Sequence, residues 1–181
     1  MSNTFLGLAQ NLMNYWWVNH KQTFNEELKG GYIWSPKTNK NGAINQTYIN
    51  LTRVQQNEII FSYANGEINA IGRAEQTAIE NPRPPEFGNM GGQWDRVGWL
   101  VKVDWTLLNR PIKPKEYIEK ISPLLPQTHS PIQSNGNGNQ GCYLAEISRS
   151  LGELLIDLAG MNEEVRDLLV SKNVIEGEDA E

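Results

Sequence analysis

The residues in this chain best placed to do chemistry are aromatic. Six tryptophans, Trp16, Trp17, Trp34, Trp94, Trp99 and Trp105, fall within 181 residues. Trp34 is followed at once by Ser35, Pro36 and Lys37. An indole beside a hydroxyl, backbone amides and a cation suits a flipped nucleobase: the ring stacks, the hydroxyl and amides read the base edge, and the lysine takes a phosphate. Trp16 and Trp17 are neighbours in a β-prone run. Their side chains must therefore leave opposite faces, one towards the interior and the other outwards or into a cleft.

The constellations of independent catalysis are missing. The two histidines, His20 and His129, stand outside any His-x-x-x-His pair, and Cys142 is the single cysteine. A catalytic zinc site and an internal disulfide are both excluded on these grounds. Neither a Gly-Lys-Ser/Thr phosphate loop nor a Gly-x-Ser-x-Gly elbow occurs. Glu27-Leu28-Lys29 has the acid-x-Lys spacing of metal nucleases, but no acid precedes Glu26, and the triplet falls where a helix is expected. The chain alone is expected to be a non-enzyme without a cofactor.

Charge is unevenly spread. The net charge of −5 is carried by residues 162–181, where Glu163, Glu164, Asp167, Glu176, Glu178, Asp179 and Glu181 face only Arg166 and Lys172. The rest of the chain is neutral. Residues 28–57 hold no acid but do hold Lys29, Lys37, Lys40 and Arg53, a local basic strip suited to phosphates. Residues 1–12 lack a signal-peptide layout, and no run of 18 apolar residues occurs. The expected location is the cytoplasm.

These residues need elements to hold them. Helices are expected over 2–14, after a capping box of Thr23 and Glu26, over 114–121, after a second capping box of Ser150 and Glu153, and over 162–171. Strands are expected over 15–19, 32–34, 58–63, 67–75, 96–105 and 141–147. Asn65-Gly66 is the strongest hairpin signal, and Gly72 marks a bulge or a close backbone approach. Residues 35–47 and 81–92 read as loops. Residues 123–140 read as a proline-stiffened loop whose Asn135 and Asn137 can meet a ligand. The whole is α+β: a small mixed β-barrel of five to six strands flanked by short helices, spanning 1–160, with a short helix and acidic tail or linker over 161–181.

Several blocks, in order, resemble EVE domains of the PUA-like group. They are Tyr15-Trp16-Trp17-Val18-Asn19, Gly31-Tyr32-Ile33-Trp34-Ser35-Pro36-Lys37, Phe61-Ser62-Tyr63 with Ile71-Gly72-Arg73-Ala74, and Gly98-Trp99-Leu100-Val101-Lys102-Val103. The stretch from Pro123 to Gly138 resembles the version found ahead of HNH nuclease domains in modification-dependent restriction endonucleases. The resemblance implies a PUA-like barrel that takes a modified cytosine, of the 5-methyl or 5-hydroxymethyl type, out of duplex DNA into an aromatic pocket. It implies base-binding roles for Trp34 and Ser35 first, then Trp17, Asn19, Ser62, Asn69 and Trp99. Lys37, Lys40, Arg53, Asn135 and Asn137 are the candidates for the DNA backbone. The chain would then be the recognition part of a restriction system directed against phage DNA, with the nuclease domain elsewhere. Two alternatives stay open: a reader of modified or single-stranded RNA, and a protein-interaction domain with no nucleic-acid role.

Overall fold

The computed structural model describes residues 13–160, apart from 91 and 93. The helix expected over 162–171 and the acidic tail lie outside the described residues, as does the helix expected over 2–14 except for Met13 and Asn14, which are not helical. None of the described helices is long and apolar enough to cross a membrane.

The described chain forms one curled sheet of seven strands with four short helices. The strands are β1 (Tyr15–Asn19), β2 (Tyr32–Pro36), β3 (Ile59–Ala64), β4 (Glu67–Ala74), β5 (Ile79–Pro82), β6 (Val97–Ile112) and β7 (Leu144–Ile147). The helices are α1 (Phe24–Gly30), α2 (Gln46–Ile49), α3 (Ile118–Ile121) and α4 (Arg149–Leu158). The order across the sheet is β2-β6-β4-β3-β1-β7, with β5 also on β6. Only β1 and β3 run parallel; every other pair is antiparallel. This is the expected α+β mixed barrel with one more strand. The added strand is β5, whose second half falls in the expected loop 81–92; it is four residues long, ends on Pro82 and lacks clear alternation.

Local chemistry explains most of the elements. Asn65 and Gly66 both have positive φ, 54° and 81°, so the two-residue turn matches the twist of β3 and β4. Gly72 marks a close approach: a Cβ there would lie 2.3 Å from a Val103 methyl and 2.6 Å from the Trp105 ring. Both expected capping boxes are corrected. Thr23 makes no cap bond and instead donates its hydroxyl to the Glu27 side chain. The last described helix is capped two residues earlier than expected, by Ser148, which accepts from the Leu151 amide at 3.1 Å.

The sheet has two faces and three apolar clusters. Trp16, Val18, Ile33, Ile60, Val101, Val103 and Leu144 fill the barrel interior. Trp17, Phe61, Ile71 and their neighbours leave the opposite face and are roofed by Leu151 and Leu155 of α4 and Ile121 of α3. A third cluster, Tyr32, Trp34 and Phe87 with Met90, Trp94 and Leu100, covers the outside of β2 and β6. Side chains across an antiparallel pair share a face. Ile33 pairs with Val101 in the interior, so Trp34, paired with Leu100, must point outwards.

The barrel's open seam, between β2 and β7, is closed by side chains. Asn45 Nδ2 donates to the Gly141 carbonyl at 2.9 Å, and Asn50 Nδ2 to that of Leu144 at 2.9 Å. The Tyr143 amide donates to Thr47 Oγ1 at 2.9 Å. Residues 45–53, expected in part to be loop, are thus a helical strap formed by α2 and the 3-10 turn Asn50–Arg53.

Candidate functional site

Trp34 is set from behind by a buried polar hub. Glu27, fully buried on α1, receives four donors. Tyr143 Oη donates to its Oε1 at 2.7 Å, Thr23 Oγ1 at 3.1 Å and the Trp34 amide at 3.4 Å. His20 Nδ1 donates to Oε2 at 2.6 Å, and His20 Nε2 lies 2.7 Å from Ser62 Oγ. A buried carboxylate is tolerated only when its lone pairs are filled in this way. The hub joins α1, β2, β3 and the residue before β7, and it fixes the backbone at Trp34. Burial, then the Glu27 charge, push the Tyr143 phenol well above its ordinary pKa. Glu27 of the acid-x-Lys triplet is thus buried, with both carboxylate oxygens hydrogen-bonded.

In front, the Trp34 indole donates to the Asn81 carbonyl at 3.1 Å and packs against Phe87 and Trp94, with ring centroids 5.9 and 6.1 Å away. Gly98 makes room for it, since a Cβ there would lie 2.6 Å from the indole and 2.0 Å from the Ser35 carbonyl. Phe87 is carried by the 3-10 turn Pro85–Phe87, whose Glu86 accepts from the Tyr32 hydroxyl at 2.6 Å. Trp34 itself is only 2% exposed. The ring of this cluster that keeps open surface is Trp94, half-buried and bridged to Asn39.

Beyond Trp94 lies an open cleft of 270 Å³ lined by Thr38, Asn39, Lys40, Gly42, Trp94, Asp95 and Arg96. Ordinary small-molecule sites span about 300–1,000 Å³, so this one suits an occupant no larger than a single base or nucleoside. One aromatic wall, one carboxylate and two cations converge on it. The Arg83 amide donates to the Arg96 carbonyl at 2.7 Å, which places a further cation-bearing residue beside this rim.

The expected site residues distribute as follows. Trp34 backs the cleft wall, and Lys40 lines the cleft. Lys37 sits at the end of β2, ion-paired with Glu80, its ammonium 4.6 Å above the Trp99 ring. Trp99 shares the face of Ser35, opposite to that of Trp34. Ser35 is 1% exposed and donates its hydroxyl to the Tyr48 carbonyl, so it has no hydroxyl to offer a base. Trp17 and Ser62 are fully buried, one beneath α4 and the other on His20. Asn19 spends its side chain on the Trp17 indole and on the Pro131 carbonyl, and Asn69 spends its own on the β3–β4 turn. Arg53 lies elsewhere, paired with Glu146 and stacked 5.6 Å from the Trp16 ring. It lines a second cleft of 460 Å³ with Gln46, Asn50, Leu124, Leu125 and His129 among others. Asn135 and Asn137 form their own exposed turn and line neither cleft.

Sequence reading missed Trp94, Asp95, Arg96, Thr38 and Asn39 as site residues. The available signal was an aromatic-acid-base triplet, Trp94-Asp95-Arg96, at the junction of a Pro/Gly-rich loop and a long strand. Among the described residues, no group of His, Cys, Asp and Glu could hold a metal.

No protein-family model matches the chain, and no curated protein matches it in sequence. Solved structures do match. A hypothetical protein from Leishmania major aligns with a TM-score of 0.55 at 6% identity, over 81% of this chain and 94% of that one. Human THYN1, solved in complex with DNA containing 5-methylcytosine, aligns with a TM-score of 0.50 at 14% identity, over 82% and 99%. The YTH domain of Zygosaccharomyces rouxii MRB1, solved with N6-methyladenosine RNA, aligns with a TM-score of 0.50 at 11% identity, over 84% and 90%. At such identities the likeness concerns the backbone alone. In its curled mixed sheet and flanking short helices, this chain has the PUA-like fold, shared with YTH domains and THYN1.

Proposed function

We propose that this chain reads a modified cytosine in duplex DNA by taking the flipped base into the Trp94 cleft. The observation that carries the reading is the cleft itself: a base-sized opening with a half-buried indole on one side and Lys40 and Arg96 on its rim. Stacking supplies affinity for a flat ring, and the cations take the adjoining phosphates. THYN1, with the same fold, was solved on 5-methylcytosine DNA, which favours cytosine in DNA as the target. On this reading the chain is the recognition module of a modification-dependent HNH endonuclease and cuts nothing by itself.

The test is titration of the protein with three ligands: a duplex carrying one central 5-methylcytosine or 5-hydroxymethylcytosine, the same duplex unmodified, and a single-stranded RNA carrying N6-methyladenosine. Tighter binding to a modified duplex is expected, and equal affinity for modified and plain duplex would sink the reading. A preference for the RNA would favour the second reading, a modified-RNA reader, to which the YTH likeness points. Incubation with duplex and divalent metal is expected to leave the DNA intact.

A further inference from the structure

We infer that Asp95 is the specificity residue of the Trp94 cleft, accepting a hydrogen bond from the exocyclic amine of the bound base and so separating modified cytosine from thymine. The inference rests on the cytosine-reading function proposed above and names the group that makes it selective.

The need for such a group is chemical. Thymine and 5-methylcytosine have the same flat ring and the same 5-methyl group. A stacking indole and an apolar contact to the methyl cannot tell them apart. They differ at position 4, a carbonyl in thymine and an amine in cytosine, and at the adjoining ring nitrogen. Lysine and arginine only donate, so Lys40 and Arg96 by themselves would favour the thymine carbonyl. A carboxylate only accepts, and it repels that carbonyl while taking the cytosine amine. Asp95 is the one acid in the cleft lining.

Its placement fits the task. Asp95 directly follows Trp94, and both line the cleft in which a base would stack. Its backbone is held by donation to the Thr38 carbonyl at 3.2 Å. One carboxylate oxygen, Oδ1, accepts from the Arg96 amide at 2.7 Å. The ion pairs of the described residues join other partners, and none links Asp95 to Lys40 or Arg96, although all three line the same cleft. Among the described residues Oδ1 is the carboxylate oxygen that carries a hydrogen bond, and Oδ2 can accept from a ligand.

The experiment measures the parent, Asp95→Asn and Asp95→Ala against duplexes with a central 5-methylcytosine–guanine pair, cytosine–guanine pair or thymine–guanine mispair. The mispair opens more easily than a matched pair. A preference for 5-methylcytosine over it therefore arises in the cleft and not from the cost of flipping. The parent is expected to prefer 5-methylcytosine to the mispair by on the order of tenfold or more. In Asp95→Asn, whose amide can turn to donate or accept, the ratio falls towards one through gained binding of thymine. In Asp95→Ala it falls through lost binding of 5-methylcytosine. Melting curves of both variants should overlay that of the parent. If both variants keep the parent ratio while still preferring 5-methylcytosine to cytosine, the Asp95 assignment is wrong and the reader stands. If the parent binds the 5-methylcytosine and cytosine duplexes alike, the reading beneath it is wrong.

Discussion

Two tryptophan pairs in this molecule have different surroundings. Trp16 and Trp17 lie side by side on β1, and both are fully buried. Trp16 enters the barrel and donates to Glu58 at 3.0 Å; Trp17 leaves the other face and meets Tyr63 at 5.3 Å beneath α4. Trp34 and Trp94 come from opposite sides of a 60-residue gap and meet on the outside of β2, under a loop and not under a helix. The two leave opposite faces as expected, and the outward one, Trp17, is fully buried beneath α4. The second pair has one ring closed in and one ring half open. What an aromatic side chain does is thus decided by the layer laid over it: a helix layer converts an outward tryptophan into core, and a loop leaves an edge for a ligand.

The largest effects are expected at β1. Trp17→Ala should cost about 3–5 kcal/mol of stability, a large part of what a domain of this size possesses. Trp16→Ala should behave alike, since it also strands a Glu58 oxygen without its indole donor. Chemical denaturation would measure both. A Trp17→Ala protein that unfolds at the parent's midpoint would show that α4 is not the roof described here.

The next effect concerns the hub that holds Trp34 in place. Tyr143→Phe removes a donor from Glu27 and the hydroxyl that the Trp34 amide meets at 3.2 Å. About 1–3 kcal/mol of destabilisation is expected. The same tyrosine gives an alkaline signature. Tyr15, Tyr32, Tyr48, Tyr63 and Tyr143 all have raised phenol pKa values, each chiefly through burial. Below pH 10 both folded and unfolded chains hold these protons, and no pH dependence arises from them. Above the ordinary value of 10.0 the unfolded chain releases protons that the folded chain keeps, so stability falls as pH rises. Each such group contributes a slope of about 1.4 kcal/mol per pH unit. Tyr143→Phe should flatten the decline by about one group's share, measured as midpoints between pH 9 and 11; an unchanged slope would count against the buried phenol.

Trp94→Ala sharpens the comparison from the other side. It should weaken binding to modified duplex by about 1–3 kcal/mol while shifting stability far less than Trp17→Ala, because the ring is half-buried and loop-borne. A destabilisation as large as that of Trp17→Ala, with unchanged affinity of the protein that remains folded, would place Trp94 with the first pair. The smallest effects are ionic. Lys40→Ala and Arg96→Ala should each reduce the slope of log affinity against log salt by about 0.9. Arg53→Ala, at the other cleft and neutralised by Glu146, should leave that slope unchanged. An equal drop for Arg53 would mean that the nucleic acid crosses both clefts.

The local elements were legible in the sequence because their causes are local. The Asn65-Gly66 turn needs left-handed backbone at both positions, the strands carry dense β-branched and aromatic residues, and Gly31 ends its helix in the left-handed region. The mixed-barrel class follows from the number and spacing of those strands. The site was legible only in its back wall, Trp34, and in Lys40. Its outer face was not, because Trp94, Asp95 and Arg96 reach Thr38 and Lys40 across more than fifty residues of chain, through the pairing of β6 with β2. Long-range pairing also diverted residues whose types promised recognition: Ser35 to the Tyr48 carbonyl, Ser62 to His20, Asn19 to the Pro131 carbonyl. By itself the sequence determined which residues could stack, donate or accept. The tertiary structure decided which of them still had that capacity free, because each buried donor and acceptor must find a partner within the fold before any remains for a ligand.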